Sequence, residues 1–334
     1  MSETIQLAHG GGGRLTRDLI AEEIVTRFGD GPLQGLPDGA RLSPATDRII
    51  FTTDSFVVSP IIFPGGNIGS LAVHGTINDV AVSGGRPRWI SLALIIEEGL
   101  PLATLRTILD ATQAAAKTCG VQIATGDTKV VSRGQCDGIY INTAGIGETL
   151  TGFELSPDRI KPGDAILVNG GLGDHGLAVM AARETIHIQG GPESDSAPVH
   201  TLVQAAQPYA EHIRFMRDPT RGGAAAVLNE LVENRKFGIE LQEPNIPYSR
   251  GTHGVCEMLG LDPLHVASEG RLIAICAPQV ADAILALWRQ DPYGKNSACI
   301  GHVTENAGRV VIETITGGKR LVDLPRGELL PRIC

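Results

Sequence analysis

From Asp47 onward the chain alternates, twice over, between β-rich segments and segments with helical spacing, and this alternation limits the fold more than any other feature. "DRIIFTTDSFVV" reads as a strand, and Asn67 to Val82 sets apolar residues at helical intervals (Ile68, Leu71, Ala72, Ile77, Val80). "RWISLALIIEE" reads as a buried strand. Pro101 stands at helix position N1, and "LATLRTILDATQAAAKTCG" closes on Gly120, a residue suited to the turn past a helix end. "VQIATGD" and "GIYINTAGIGE" complete the first unit as strands. A second unit opens near Ser156, where "IKPGDAILVNGGLGDHG" reads as turn, strand and Gly-rich entry to a helix. Helical patterns recur at about 221–235 and 279–290, with strands at 237–242, 271–276, 298–304 and 309–315. A chain of 334 residues is too long for one ordinary core. The pattern therefore predicts a two-domain α/β or α+β enzyme. The expected domains are 43–155 and 156–320. Residues 1–42 form a Gly-rich segment around one helical stretch, Leu15 to Phe28, and residues 321–334 lose all period and read as a tail.

Bulk properties exclude some functions. The net charge of −9 disfavours nucleic-acid binding, which calls for a basic excess. No apolar run reaches membrane-spanning length. The opening "MSETIQLAHGGGG" lacks a basic stretch followed by an apolar core, so the cytoplasm is the expected compartment. The six cysteines (Cys119, Cys136, Cys256, Cys276, Cys299, Cys334) form no CxxC pair, which removes the zinc spacings. The first five read as small core residues. Cys334 ends the sequence in "LLPRIC", with Pro325 and Pro331 biasing the tail away from helix.

Four stretches place polar groups beside glycines at the ends of apolar segments. Asp54 in "FTTDSF" interrupts a strand-like run, and Asn78 and Asp79 in "NDVAVSGG" sit within an apolar helix. Gly126-Asp127-Thr128-Lys129 follows a strand, and an acid, a hydroxyl and a Lys on one turn suit Mg²⁺ and phosphate. His9 to Gly13, "HGGGG", offers Gly10, Gly11, Gly12 and Gly13 as a backbone that could wrap phosphates, although no Walker A motif follows. "GLGDHG", "RDPTRGG" and "ASEGRL" add His175, Asp218 and Glu269. Read singly, each stretch equally suits an edge strand, a solvated helix face or a plain turn. Taken together, they point to a nucleoside triphosphate held by metal and backbone.

"FPGGNIG", "NDVAVSGG", "TGDTKVV", "GDHG", "RGG" and the terminal "PRIC" together resemble the HypE family of hydrogenase maturation factors, which are carbamoyl dehydratases. The similarity runs from the His9 loop to Cys334. The GD-type motifs belong to the wider aminoimidazole ribonucleotide synthetase-like superfamily, whereas "PRIC" is narrower. The resemblance implies two α/β domains with a flexible C-terminal tail, a homodimer formed through the strands of the first domain, and ATP bound at that interface under the N-terminal segment. It implies that Asp54, Asp79 and Asp127 hold Mg²⁺, with Asn78, Thr128 and Lys129 also on the nucleotide and Glu269 reaching the cleft from the second domain. It implies a reaction in which the carbamoyltransferase HypF loads Cys334, ATP drives dehydration of the S-carboxamide to an S-cyanide, and the cyanide passes to an iron centre on a HypC–HypD scaffold. Lys129, Glu269 and His175 all remain candidates for the proton-abstracting base. Selenophosphate synthetase, the nearest enzyme alternative, carries a reactive Cys near its Gly loop, and residues 1–118 here contain none. Aminoimidazole ribonucleotide synthetase and thiamine-monophosphate kinase give no reason for a terminal Cys. A non-catalytic thiol carrier would not need the acids and Lys129.

Overall fold

The computed structural model describes residues 3–333 other than residues 12, 35, 38, 185–189 and 325–332. The first domain is built on β1 (Ile49–Phe56), β4 (Gly85–Glu97), β5 (Gln122–Val131) and β6 (Ile139–Thr149), in the order β1-β6-β4-β5; β2 (Ile62–Phe63) and β3 (Gly66–Asn67) form a separate hairpin. Only β4 and β5 run parallel, which needs a crossover, and α4 (Leu102–Cys119) supplies it. Gly120 closes α4 in the left-handed conformation, at φ 66°. Pro101 stands just before the helix, with ψ 133°, so the first helical residue is Leu102 and not the proline.

One face of the sheet carries α3 (Ile68–Val82), capped by Asn67, whose Oδ1 accepts from the amides of Gly69 and Ser70. This helix is buried nearly all round because it lies between the sheet and the second domain. The expected helix near the N-terminus is continuous, but its middle is wound differently: α1 (Arg14–Leu19) passes through a π-helical stretch, Ile20–Val25, into α2 (Thr26–Phe28). Glu23 fastens this segment to α4 by taking the Arg106 guanidinium at 2.8 Å.

The second domain contains β7 (Ala165–Val168), β8 (Ile213–Arg217), β9 (Gly238–Gln242), β10 (Ile273–Cys276), β11 (Ala298–Thr304), β12 (Val310–Glu313) and β13 (Lys319–Leu321). Its seven strands are ordered β13-β12-β9-β11-β7-β10-β8. Every residue of β7 and β10 is buried, because helices cover both faces of the sheet. The helices are α5 (Asp174–Arg183), α6 (His200–Ala205), α7 (Gly223–Val232), α8 (Arg250–Leu259) and α9 (Pro278–Trp288). Leu228 and Leu231 belong to the core under one face, and Leu202, Ile284 and Trp288 to the core under the other.

Among the described residues no helix is long and apolar enough to cross a membrane. Cys119, Cys136, Cys256 and Cys276 are buried thiols, as expected, while Cys299 is half-buried. Burial pushes the thiols of Cys119 and Cys276 up to about 12 and those of Cys136 and Cys256 up to about 11.

Candidate active site

The acids picked out by sequence fall into two groups. Asp54, in β1, faces α3, where Gly75 leaves room: a Cβ there would stand 3.8 Å from Asp54 Oδ2 and 2.9 Å from Phe56. Asp54 Oδ1 accepts from the Ser55 amide at 2.8 Å and lies 3.5 Å from an Arg221 nitrogen. Asp79 projects from α3 and accepts from the Thr52 hydroxyl at 2.8 Å. Burial raises both carboxyls above the usual range, against the lowering effect of those hydrogen bonds. From the second domain come Asp218, beyond the end of β8, and Glu269, which is 1% exposed. Burial pushes Asp218 up to about 7, helped by the charge of Asp79. Burial likewise holds Glu269 well above the carboxylate range, followed by the charges of Asp218, Asp195, Asp54 and Asp79. Glu269 Oε1 has no hydrogen-bond partner among the described residues.

Asp127 and Lys129 lie elsewhere. They do not follow a strand on a turn; they sit within β5, two residues apart and on one face, with Lys129 Nζ 3.1 Å from Asp127 Oδ1. Thr128 donates its amide to the same oxygen. Strand register separates this pair from Asp54. Asp54 pairs with Thr143, which faces α3 through a hydroxyl contact with Thr76. The next residue, Asn142, points the other way and pairs with Ala93, which pairs with Asp127. Asp127 therefore lies on the opposite face of the sheet and, over three strand spacings, about 14 Å away. Asp54 and Asp79 thus stand together at the domain junction, while Asp127 stands apart from them within the chain. Among the described residues no three His, Cys, Asp or Glu side chains stand together as a metal site.

Asn78 is fully buried, accepts from the Val199 amide and donates to the carbonyls of Ala197 and Glu269, so its amide joins the two domains. Of the described N-terminal glycines, Gly10 lies against β5. Gly10 ends a 3-10 turn, Leu7–Gly10, packed so closely on β5 that a Cβ would stand 2.6 Å from the Val130 nitrogen. Gly11 and Gly13 flank the entry to α1, and Gly12 lies outside the described residues. Between this segment and the strands is a cavity of about 280 Å³, with Thr16, Ile20 and Ile24 on one wall and Asp127, Thr128 and Lys129 on the other.

Cys334 lies outside the described residues. Ile333 does not: it is 6% exposed and belongs to the same buried apolar cluster as Val179 and Ala267. Its carbonyl meets His175 Nε2 at 2.8 Å, while His175 Nδ1 meets the Ser194 hydroxyl at 2.8 Å. Both ring nitrogens of His175 are therefore engaged in hydrogen bonds within the protein. Sequence reasoning set Asp218 among the polar stretches without giving it a ligand. The usable signal was an acid directly after a strand, on a short loop leading to a Gly-led helix.

One consequence concerns stability. A carboxyl raised by burial favours folding fully at pH below its unfolded value of about 4, and that contribution is lost as pH climbs to its folded value. For Asp218 the window runs from 3.8 to about 7. Over that window the loss is roughly 4 kcal/mol. Asp218→Asn is expected to flatten the fall in stability from pH 4 to 7, measured by urea unfolding of the nucleotide-free protein; an unchanged slope would contradict it.

Comparison with known proteins agrees with this architecture. The family model for AIR synthase related protein, N-terminal domain, matches residues 37–149, and that for the C-terminal domain matches residues 161–313. Carbamoyl dehydratase HypE of Rhizobium leguminosarum bv. viciae is 48% identical over 332 residues, covering 99% of this chain and 95% of that protein. A crystal structure of hydrogenase maturation protein HypE in complex with ATP superposes with a TM-score of 0.94 at 43% identity, covering 99% of this chain and 100% of that one. HypE from a HypE–HypF complex superposes at 0.81 with 41% identity, covering 92% and 99%. Similarity at this level, extending from the N-terminal segment to the end of the sequence, settles the family: the chain belongs to the HypE carbamoyl dehydratases of hydrogenase maturation.

Proposed function

We propose that Cys334 carries the substrate of its own enzyme, as an S-carboxamide that ATP converts to an S-cyanide. An amide does not expel oxide. Attack of the carboxamide oxygen on the γ-phosphorus of ATP breaks the bond to ADP and turns that oxygen into a phosphate leaving group. The nitrogen gives up one N–H proton as the oxygen is phosphorylated and the other as the C–O bond breaks. The products are then the thiocyanate, ADP and phosphate.

The chain's residues divide this work between the two groups described above. Lys129, with Asp127 and Thr128, faces the cavity under the N-terminal segment and spreads the charge of the transferring phosphoryl. Glu269 takes the amide proton, since among the described residues its Oε1 has no hydrogen-bond partner and burial raises the carboxylate's affinity for a proton. Mg²⁺ accompanies the nucleotide. The donors are carboxylate and hydroxyl oxygens, and Mg²⁺ is usually held by one or two carboxylates with phosphates supplying the rest. Asp54 and Asp79 fit that role at the domain junction, and Asp127 fits it at the phosphates.

The open face of the first sheet exposes Ile49, Phe51 (65% exposed) and Ile95, which suits a second copy packed strand against strand. HypF loads the arm, and a HypC–HypD scaffold receives the cyanide, in the cytoplasm. The observation that carries this reading is the burial of Ile333, next to Cys334 in sequence, in the apolar cluster that includes Ala267, close to Glu269. Incubation with HypF, carbamoyl phosphate and ATP, read by intact mass, tests it. The chain is expected to gain one carbamoyl group and then lose one water only when ATP is hydrolysed. Carbamoylation with no ATP-dependent water loss would refute it.

A further inference from the structure

We propose that His175 is the positioning residue of the arm: its imidazole holds the peptide that joins Ile333 to Cys334 and ties that peptide to the loop bearing Glu269. The inference deepens the dehydratase reading and rests on it. The carbonyl of Ile333 is the carbonyl of the peptide bond to Cys334, so whatever grips it fixes the plane from which the reacting residue continues. A carbonyl only accepts, so His175 Nε2 carries the hydrogen and donates at 2.8 Å. That leaves Nδ1 as acceptor for the Ser194 hydroxyl at 2.8 Å. The ring is fully buried, and the edge-to-face contact with Phe63, at 5.4 Å between centroids, limits its rotation. Burial lowers its pKa to about 4, which keeps the ring neutral and the tautomer single near pH 7.

The connection to Glu269 is short. Ser194 lies in an extended strap between the domains, and its amide donates to the Pro64 carbonyl at 2.8 Å. The next residue, Asp195, accepts the Glu269 amide at 2.9 Å. The strap passes so near the loop that a Cβ on Gly270 would stand 1.9 Å from the Asp195 carbonyl oxygen. On the other side, the start of α5 is bonded to the same loop: Gly173 donates to the Ser268 hydroxyl and Gly176 to the Ala267 carbonyl. One ring therefore sits in a frame whose remaining side is the backbone of Glu269. A histidine that only filled space would not need Nε2 aimed at the last peptide of the sequence.

The test compares wild type, His175→Phe and His175→Gln after loading by HypF. Phe keeps the ring's shape and removes both nitrogens, whereas Gln places an amide N–H near the position of Nε2. In single-turnover mass spectrometry His175→Phe is expected to slow water loss by about ten- to hundredfold, with ATP affinity and carbamoyl loading unchanged. His175→Gln is expected to regain part of the rate. Alkylation of Cys334 by iodoacetamide should accelerate in His175→Phe but not in Leu228→Ala, a core variant of the second domain that reports general destabilisation. If His175→Phe does not fold, Ser194→Ala serves in its place, with the same direction expected in both assays. Wild-type rates of dehydration and alkylation in the variant overturn the assignment, as does a His175→Gln protein no better than His175→Phe. If wild type itself never loses water, the dehydratase reading falls, and the alkylation rates still decide the role of His175.

Discussion

A Cys334→Ala protein is expected to acquire neither the carbamoyl nor the cyano mass under conditions that fully convert the wild type. The loss should reach background and not stop at a partial defect, because no other thiol can stand in. Nucleophilic capture needs thiolate. Cys119, Cys136, Cys256 and Cys276 are buried, with burial holding their thiols at about 11 to 12. Cys299 is half-buried and directs its sulfur at the Gly301 carbonyl, 3.5 Å away. ATP binding, followed by titration calorimetry, should survive, since the cavity beneath the N-terminal segment draws its lining from other parts of the chain. A cyano mass in the Cys334→Ala chain would place the carrier on another residue and remove the basis for the arm.

The second large effect is expected from Lys129→Ala and Asp127→Ala. Each should slow water loss by about 10²–10³ while carbamoylation by HypF proceeds, as when one group that stabilises transition-state charge is removed. Stability should hardly change. The Lys129–Asp127 pair is 64% and 60% exposed on an open sheet face. Exposed pairs of this kind are worth about 0–1 kcal/mol. A pair that contributes so little to folding, beside a cavity, is free to serve a ligand. Glu269→Gln provides the complementary case. It removes a buried carboxyl one of whose oxygens has no hydrogen-bond partner among the described residues, so the protein should fold at least as well, yet water loss should fall by about 10²–10⁴ if Glu269 is the base. Normal dehydration in both Lys129→Ala and Asp127→Ala would overturn the phosphate-site reading.

The alternation of strands and helices was legible because its causes are local. Asn67 caps α3, Gly120 ends α4, and β7 and β10 are short apolar runs covered on both faces. The site was less legible, because a linear string does not carry strand register. Nothing near Asp127 says that it pairs with Ala93, or that its side chain points away from the face that holds Asp54. Asn78 and Asp79 are neighbours on one helix, yet one bonds three backbone groups of the second domain and the other meets Thr52. Their difference depends on which element covers each side of α3. The role of Ile333 was hidden for a similar reason: its partner His175 is 158 residues away in sequence.

The close seat of Gly10 on Val130 has a consequence for solubility. β5 is an outer strand of its sheet, and an outer strand offers unpaired amides and carbonyls to any other strand that approaches. The N-terminal turn and the short 3-10 turn Gly31–Leu33 both lie against it. The segment that roofs the cavity is thus also a guard against strand addition. The strand carrying Asp127 and Lys129 is the one that would become adhesive if the roof were lost. A chain cut before Asp47 should therefore fail first by aggregating, so weak nucleotide binding by such a fragment would say little about the residues removed.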